Sequence, residues 1–328
     1  MVEKKMTNST EISIILCSNK IKNFKSLLKN IESTAENLEK IEIVIGCDEG
    51  ETDFRKFCAS VNSKISIKYH DIYVGDLYDQ HIPMSKLLNL CNKDSYFILA
   101  LADDMRFESP GWDLEILKYK HYYEDDIFRL RLGWRKHFSY SDHWQCVSMP
   151  ENIDVCTKKW RDLVGNIPHF SIDSYNQTVM YYLENLDKFN NSFRATRDIP
   201  VNNVKMEKHT GQSIDDRLIL KKMVEVWGIS TSYKNQASAK KVAARIYCEI
   251  IKKEYEIEGP IKHIKNSYII GDIKVSYKLP MFKILFSNFF RKIFYLEYGG
   301  GGFFKRISDI RLFSFRWLLH VLFNYRTY

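Results

Sequence analysis

Apolar positions in the first hundred residues switch between two periods. Ile12-Ser13-Ile14-Ile15-Leu16-Cys17 is a short β-branched run and predicts a first strand. From Asn23 to Leu38 the apolar residues fall at 24, 27, 28, 31, 35 and 38, the spacing of one helix face. Ile41-Glu42-Ile43-Val44-Ile45-Gly46-Cys47 predicts a second strand, which runs into the acidic loop Asp48-Glu49-Gly50-Glu51-Thr52-Asp53. Thr52 or Asp53 can cap a following helix that carries Phe54 and Phe57. Ile65 to Tyr69 predicts a third strand, and a helix after Pro83 carries Met84, Leu87, Leu88 and Cys91. Tyr96-Phe97-Ile98-Leu99-Ala100-Leu101 then predicts a buried strand, and it ends abruptly at Ala102-Asp103-Asp104.

Strands alternating with helices predict an α/β layer fold with a largely parallel sheet. Right-handed crossovers bring the strand ends at Cys17, Asp48 and Asp103 to one edge. Ligands of open α/β sheets bind beyond the carboxyl ends of the strands. Further along, Asp126–Leu132 alternates like a strand, Lys158–Leu163 and Ser174–Leu186 suit helices, and Arg194–Val204 has room for a strand. Asp215–Trp227 and Ala237–Tyr255 carry helical patterns, the latter with a basic side and ended by Glu258-Gly259-Pro260. The organisation expected is a flexible N-terminus at 1–10, an α/β domain at 11–235, a helical extension at 236–274 and a distinct tail at 275–328.

The chain of 328 residues is long enough for a sizeable core. A net charge of +8 favours anionic partners without choosing among nucleotide, nucleic acid and membrane. Seven scattered cysteines, an odd number with no CxxC pair, read as reduced thiols in a cytosolic setting. Met1 to Glu11 is polar, unlike a signal peptide or anchor. No apolar run reaches the roughly 18 residues of a spanning helix.

The tail changes character. Phe303, Ile307, Ile310, Phe313, Trp317, Leu318 and Val321 can share a helical face, with Lys305, Arg306, Arg311, Arg316 and Arg326 as basic partners. Four glycines at 299–302 separate it from the aromatic stretch Leu279–Tyr298. Such a segment can lie at a membrane surface with its Arg stems snorkelling, or pack on the rest of the chain or on another subunit.

Mg2+ and Mn2+ take oxygen ligands and often bridge one or two carboxylates to substrate phosphates. Asp103 and Asp104 offer such oxygens at a strand end, although a solvated turn would have the same sequence. Neighbours in an extended chain point apart, so one carboxylate, taken as Asp104, suits metal, while Asp103 suits a sugar hydroxyl or a backbone donor. His209, in a polar segment, is a second candidate ligand or simply an exposed histidine. Asp173 precedes a predicted helix and is either a cap, as Ser174 could be, or a general base for an acceptor hydroxyl. Asp48 either stabilises its turn or accepts from a pyrimidine imide. Lys86 could approach phosphate or be an ordinary surface lysine.

Across roughly residues 10–215, this ordered set resembles the GT-A fold glycosyltransferases, within the large inverting family that includes bacterial polysaccharide and lipid-linked glycan synthases. Ile12–Asn19 is similar to that family's first strand and nucleotide-facing turn, and Ile43–Asp53 to its second strand and acidic turn. Leu101-Ala102-Asp103-Asp104-Met105 matches the place of its metal-binding Asp-any-Asp motif, with Ala102 at the first acidic position. Pro110-Gly111-Trp112 follows at a spacing often seen after that motif.

The resemblance implies an inverting, metal-assisted transfer of sugar from a nucleotide-sugar donor, UDP-linked by preference. Cys17, Ser18, Asn19, Asp48, Lys86 and Asp103 would meet the donor, Asp104 and His209 would hold Mn2+ or Mg2+, and Asp173 would be the base. The acceptor would be a glycan or a lipid-linked molecule, with Trp134-Arg135-Lys136-His137 and Trp144 available to line its cleft. A cytoplasmic chain resting on the inner face of the membrane through 275–328, or a homo-oligomer, follows from the tail. Two other readings compete. A sugar nucleotidyltransferase shares the layout, but no early glycine-rich loop with a basic residue is present. A non-enzymatic nucleic-acid- or glycan-binding protein would use the positive charge and aromatics, yet the basic residues concentrate in an apolar tail, which argues against nucleic acid.

Overall fold

The computed structural model describes residues 9–18, 20–47, 52–71, 86–132, 153–165, 172–186, 197–208 and 233–279. Contacts divide the chain into two compact units. The first comprises Met1–His137, Glu151–Phe170 and Ala195–Gly211, and the second Phe138–Pro150, Ser171–Arg194 and Gln212–Tyr328.

The first unit is built on one sheet. Its strands are β1 (Ile12–Cys17), β2 (Ile41–Cys47), β3 (Ser66–Asp71), β4 (Phe97–Ala100), β6 (Arg129–Leu132), β7 (Asp154–Thr157) and β8 (Asp198–Val201). They run in the order β3-β2-β1-β4-β7-β6-β8. β3, β2, β1 and β4 are parallel neighbours, β7 is antiparallel to both β4 and β6, and β6 pairs parallel with β8. This is the mostly parallel α/β architecture that the alternation predicts. A separate two-stranded ladder joins β5 (Met105–Phe107) to β9 (Met206–Lys208).

Side chains alternate across each strand, so the sheet has two unlike faces. Ile12, Ile14, Leu16, Ile41, Ile43, Ile45, Phe97 and Leu99 lie in one apolar core. Helices α1 (Ile21–Thr34), α2 (Thr52–Ser60) and α3 (Trp112–Leu117) cover it with Phe24, Leu27, Phe54 and Trp112, all fully buried. The intervening positions are partly polar. Glu42 Oε1 accepts from the Ser13 hydroxyl and from Asn92 N–H, both at 2.5 Å, and its Oε2 accepts from Lys68 Nζ at 2.6 Å. On the far side of the sheet Asp154 pairs with Arg129 at 3.1 Å, and helix α4 (Lys158–Val164) follows β7, capped by Thr157.

Several boundaries differ from the pattern for identifiable reasons. The first helical pattern extends to Leu38, but α1 stops at Thr34, and Leu38–Lys40 forms a 3-10 turn. Buried Asp113 accepts from Glu36 N–H and Asn37 N–H at 2.9 Å each, which draws the chain out of the helix. The same corner needs Gly111, whose φ of +70° is in the left-handed region and whose N–H donates to Thr34 C=O at 2.7 Å. β6 begins at Arg129, not at Asp126, because Asp126 has φ +55°. Of the helix predicted after Pro83, the described residues retain the turn Lys86–Leu88. The short strands β5, β7 and β9 have no counterpart in the pattern reading.

In the second unit, α5 (Ile172–Leu186) packs on α6 (Tyr233–Glu254). Tyr182 OH donates to Gln236 Oε1 at 2.5 Å, and Tyr175 and Ser238 share a hydrogen bond of 2.8 Å. The extension at 236–274 is not helical throughout. After α6 come β10 (Lys262–Ile264), β11 (Ser267–Ile270) and β12 (Ile273–Ser276), an antiparallel meander that buries Tyr268, Ile270 and Val275. The pattern at 215–227 and the tail from 280 onward lie outside the described residues.

Candidate active site

The parallel register aligns the ends of β1, β2 and β4. Cys17 pairs with Gly46, and Ile15 pairs with Val44 on one side and with Ala100 on the other. The ladder continues past the strands, with Ser18 N–H donating to Gly46 C=O at 2.9 Å and Leu101 N–H to Ile15 C=O at 3.0 Å. Cys17, Ser18 and the residues after Leu101 therefore share the carboxyl edge of the sheet.

Beyond that edge, Ala102-Asp103-Asp104-Met105 forms a turn closed by Met105 N–H on Ala102 C=O at 3.1 Å. The turn leaves both carboxylates half-buried at the end of an otherwise buried strand. Asp103 is tied on both oxygens. Ser18 Oγ donates to Oδ2 at 2.5 Å, and Asn23 Nδ2 reaches Oδ1 at 3.4 Å. Lys20 N–H donates to Ser18 Oγ at 3.2 Å and orients that hydroxyl. Asp103 thus joins the turn after β1 to the first turn of α1. Ala102, at the first position of the acidic motif, is exposed.

The chain leaves the turn through β5, where Met105 pairs with Lys208 of β9. The residue after Asp104 is thereby the ladder partner of the residue before His209. Arg106 lies in the same ladder. Its pKa is lowered by burial, against the opposing pull of the Asp103 and Asp104 charges.

The candidate residues divide accordingly. Cys17, Ser18 and Asp103 come together at one edge, and Asp104 is in the same turn. Lys86 is exposed, and the hydrogen bonds described around Ser18 and Asp103 do not include it. Asp173 lies in the first described turn of α5 and belongs to the second unit. Asn19, Asp48 and His209 lie outside the described residues, as do Trp134-Arg135-Lys136-His137 and Trp144. The pattern reading passed over Asn23 and Arg106, whose only sequence signal is their nearness to Ser18 and Asp104.

Two adjacent carboxylates on a turn are hard oxygen donors of the kind that Mg2+ and Mn2+ take alongside substrate phosphates. Among the described residues no three His, Cys, Asp or Glu side chains group as a metal cluster. Asp103 and Asp104 are carboxylates that could share a cation's shell with a diphosphate.

No protein-family model matches the chain, and no curated protein matches it by sequence. Solved structures do. A mannosyltransferase from Pyrobaculum calidifontis, PcManGT, solved with GDP-Man and Mn2+, superposes with a TM-score of 0.51 at 9% identity, over 98% of this chain and 89% of that one. TarS residues 1–349 from S. aureus, solved with UDP-GlcNAc, gives a TM-score of 0.43 at 12% identity, over 74% of this chain and 73% of that one. The likeness to the mannosyltransferase, together with the strand order, shows the GT-A-like fold. The acidic turn follows β4, at the carboxyl edge of that fold's sheet.

Proposed function

We propose that this chain is a glycosyltransferase that moves a sugar from a nucleotide-sugar donor, UDP-linked by preference, to a hydroxyl of a glycan or lipid-linked acceptor with inversion at C1. The observation that carries this reading is the acidic turn at the carboxyl edge of a GT-A-like sheet, fastened to the end of β1 by Ser18 and Asp103. That edge is where an open α/β sheet takes a nucleotide. The solved mannosyltransferase of similar fold, which holds GDP-Man and Mn2+, supports it.

Within this reading Asp48 accepts from the base imide, and the Cys17-Ser18-Asn19 turn meets the nucleotide. Asp104 is the carboxylate for Mn2+ or Mg2+, and His209 is its partner ligand, supported by the Met105–Lys208 pairing that leads the chain toward it. The cation supplies positive charge to the diphosphate leaving group. Asp103, tied by Ser18 and Asn23, holds the turn and faces the donor. Asp173 takes the proton of the acceptor hydroxyl as its oxygen attacks C1 from the face opposite the nucleotide. The tail at 275–328 is read as a membrane-surface segment on the cytoplasmic side. Equal vesicle flotation with and without it would remove that part.

A panel of UDP- and GDP-sugars, each with Mn2+ or Mg2+, tests the reading through thermal unfolding, because a ligand of the folded state at free concentration L stabilises it by RT ln(1 + L/Kd) and so raises the melting temperature. A stabilising donor should release free nucleoside diphosphate. Release of pyrophosphate from a sugar phosphate and a nucleoside triphosphate would favour a nucleotidyltransferase instead. No stabilisation by any donor refutes the proposal.

A further inference from the structure

The acidic turn is held by more than Asp103. Arg106, two residues beyond Asp104, folds its guanidinium back over the turn. Its Nη1 donates to Asp103 C=O at 2.9 Å and to Met105 C=O at 2.6 Å. Its Nη2 reaches Asn23 C=O at 3.4 Å, and its Nε reaches Ser26 Oγ at 3.2 Å. One planar side chain thus grips main-chain carbonyls on both sides of Asp104 and two positions on the first turns of α1. Asn23 completes the link by donating to Asp103 Oδ1. Arginine suits this task because its donors form a rigid fork with a fixed charge, whereas lysine offers one mobile ammonium.

Both the geometry and the charge of this clamp bear on a cation. The turn's carboxylates belong to Asp103 and Asp104, and the guanidinium lies close enough to feel both charges. Asp103 already has Ser18 and Asn23 on its oxygens. The turn therefore presents its carboxylates from a backbone held by the Arg106 guanidinium and within reach of its positive charge.

We propose that Arg106 is a positioning residue that fixes the Asp103-Asp104 turn on α1 and thereby sets the affinity of the chain for the divalent-metal complex of a nucleoside diphosphate. This rests on the nucleotide-sugar reading above. Residues that orient metal-binding carboxylates without touching the metal typically change its affinity about 10–100-fold when removed.

The test compares wild type with Arg106→Gln and Arg106→Lys in the full chain. UDP and GDP are each titrated with Mn2+ present and with EDTA, and bound Mn2+ is followed by electron paramagnetic resonance. The deciding quantity is the ratio of nucleotide affinity with metal to that without, because simple loss of folded protein lowers both alike. Arg106→Gln should reduce this ratio about tenfold or more, and Arg106→Lys, which keeps the charge but not the fork, should fall between. If Arg106→Gln does not fold, the reduced ratio in Arg106→Lys alone carries the proposal. A wild-type ratio in every variant that folds overturns it. Failure of the wild type to take up either nucleotide with Mn2+ overturns the nucleotide-sugar reading itself, and this inference with it.

Discussion

The bond from Ser18 to Asp103 connects the end of β1 to the acidic turn, and its loss is measurable. Ser18→Ala removes a donor 2.5 Å from a carboxylate oxygen and, with it, the acceptor of Lys20 N–H. A hydrogen bond to a charged group contributes about 1.5–3 kcal/mol. Two features place this one toward the lower end. Asp103 is half-buried, so water can replace part of what the hydroxyl supplies, and Asn23 still reaches its other oxygen at 3.4 Å. The expected destabilisation is about 1–2 kcal/mol, seen as a lower urea midpoint at unchanged slope. A double-mutant cycle with Asp103→Ala isolates the pair, and its coupling energy should be about 1 kcal/mol or more. Effects that add within about 0.5 kcal/mol would show that the two residues do not support one another, and would remove the proposed tie between the nucleotide-facing turn and the acidic turn.

Other expectations follow from the same structure. Asp104→Ala should weaken Mn2+-supported donor binding, and unchanged metal dependence would exclude Asp104 as a ligand. Asp173→Asn should nearly abolish transfer while sparing donor binding, so turnover at the wild-type rate would exclude it as the base. Glu42 is 1% exposed and accepts from three donors, so Glu42→Ala should destabilise by about 2–4 kcal/mol, below the usual range for a broken buried pair because Lys68 is 40% exposed and can rehydrate. Urea unfolding measures that loss, and a change under about 1 kcal/mol would contradict the network. Burial pushes the thiols of Cys58 and Cys248 up to about 12 and that of Cys91 up to about 11. At pH 8 the half-buried Cys17 should alkylate ahead of all three, as read by mass spectrometry of the digested chain, and earlier labelling of Cys58 would contradict that placement.

The long, strongly patterned elements are legible in the sequence. β1 and β2 span the runs Ile12–Cys17 and Ile41–Cys47, apolar but for Ser13 and Glu42, because strands buried on both faces are near-continuously apolar. Boundaries set by side chains distant in sequence were not. Asp113 ends α1 from 76 and 77 positions away, and Asp126 delays β6 by adopting a left-handed backbone. The meander β10–β12 escaped because each strand is stabilised by its neighbours and not by its own composition.

The sequence by itself determined that apolar strands alternate with amphipathic helices, that an acidic pair ends the fourth of the long strands, and that Ser18 follows the first. Those are local properties, written in hydrophobic period and residue type. Tertiary structure alone decided that Ser18 and Asp103, 85 positions apart, meet within a hydrogen bond. It also brought Lys208 opposite Met105 and folded Arg106 over the acidic turn onto α1. Parallel pairing of β1 with β4 set the meeting of Ser18 with Asp103, and no local pattern encodes which strand will lie beside which.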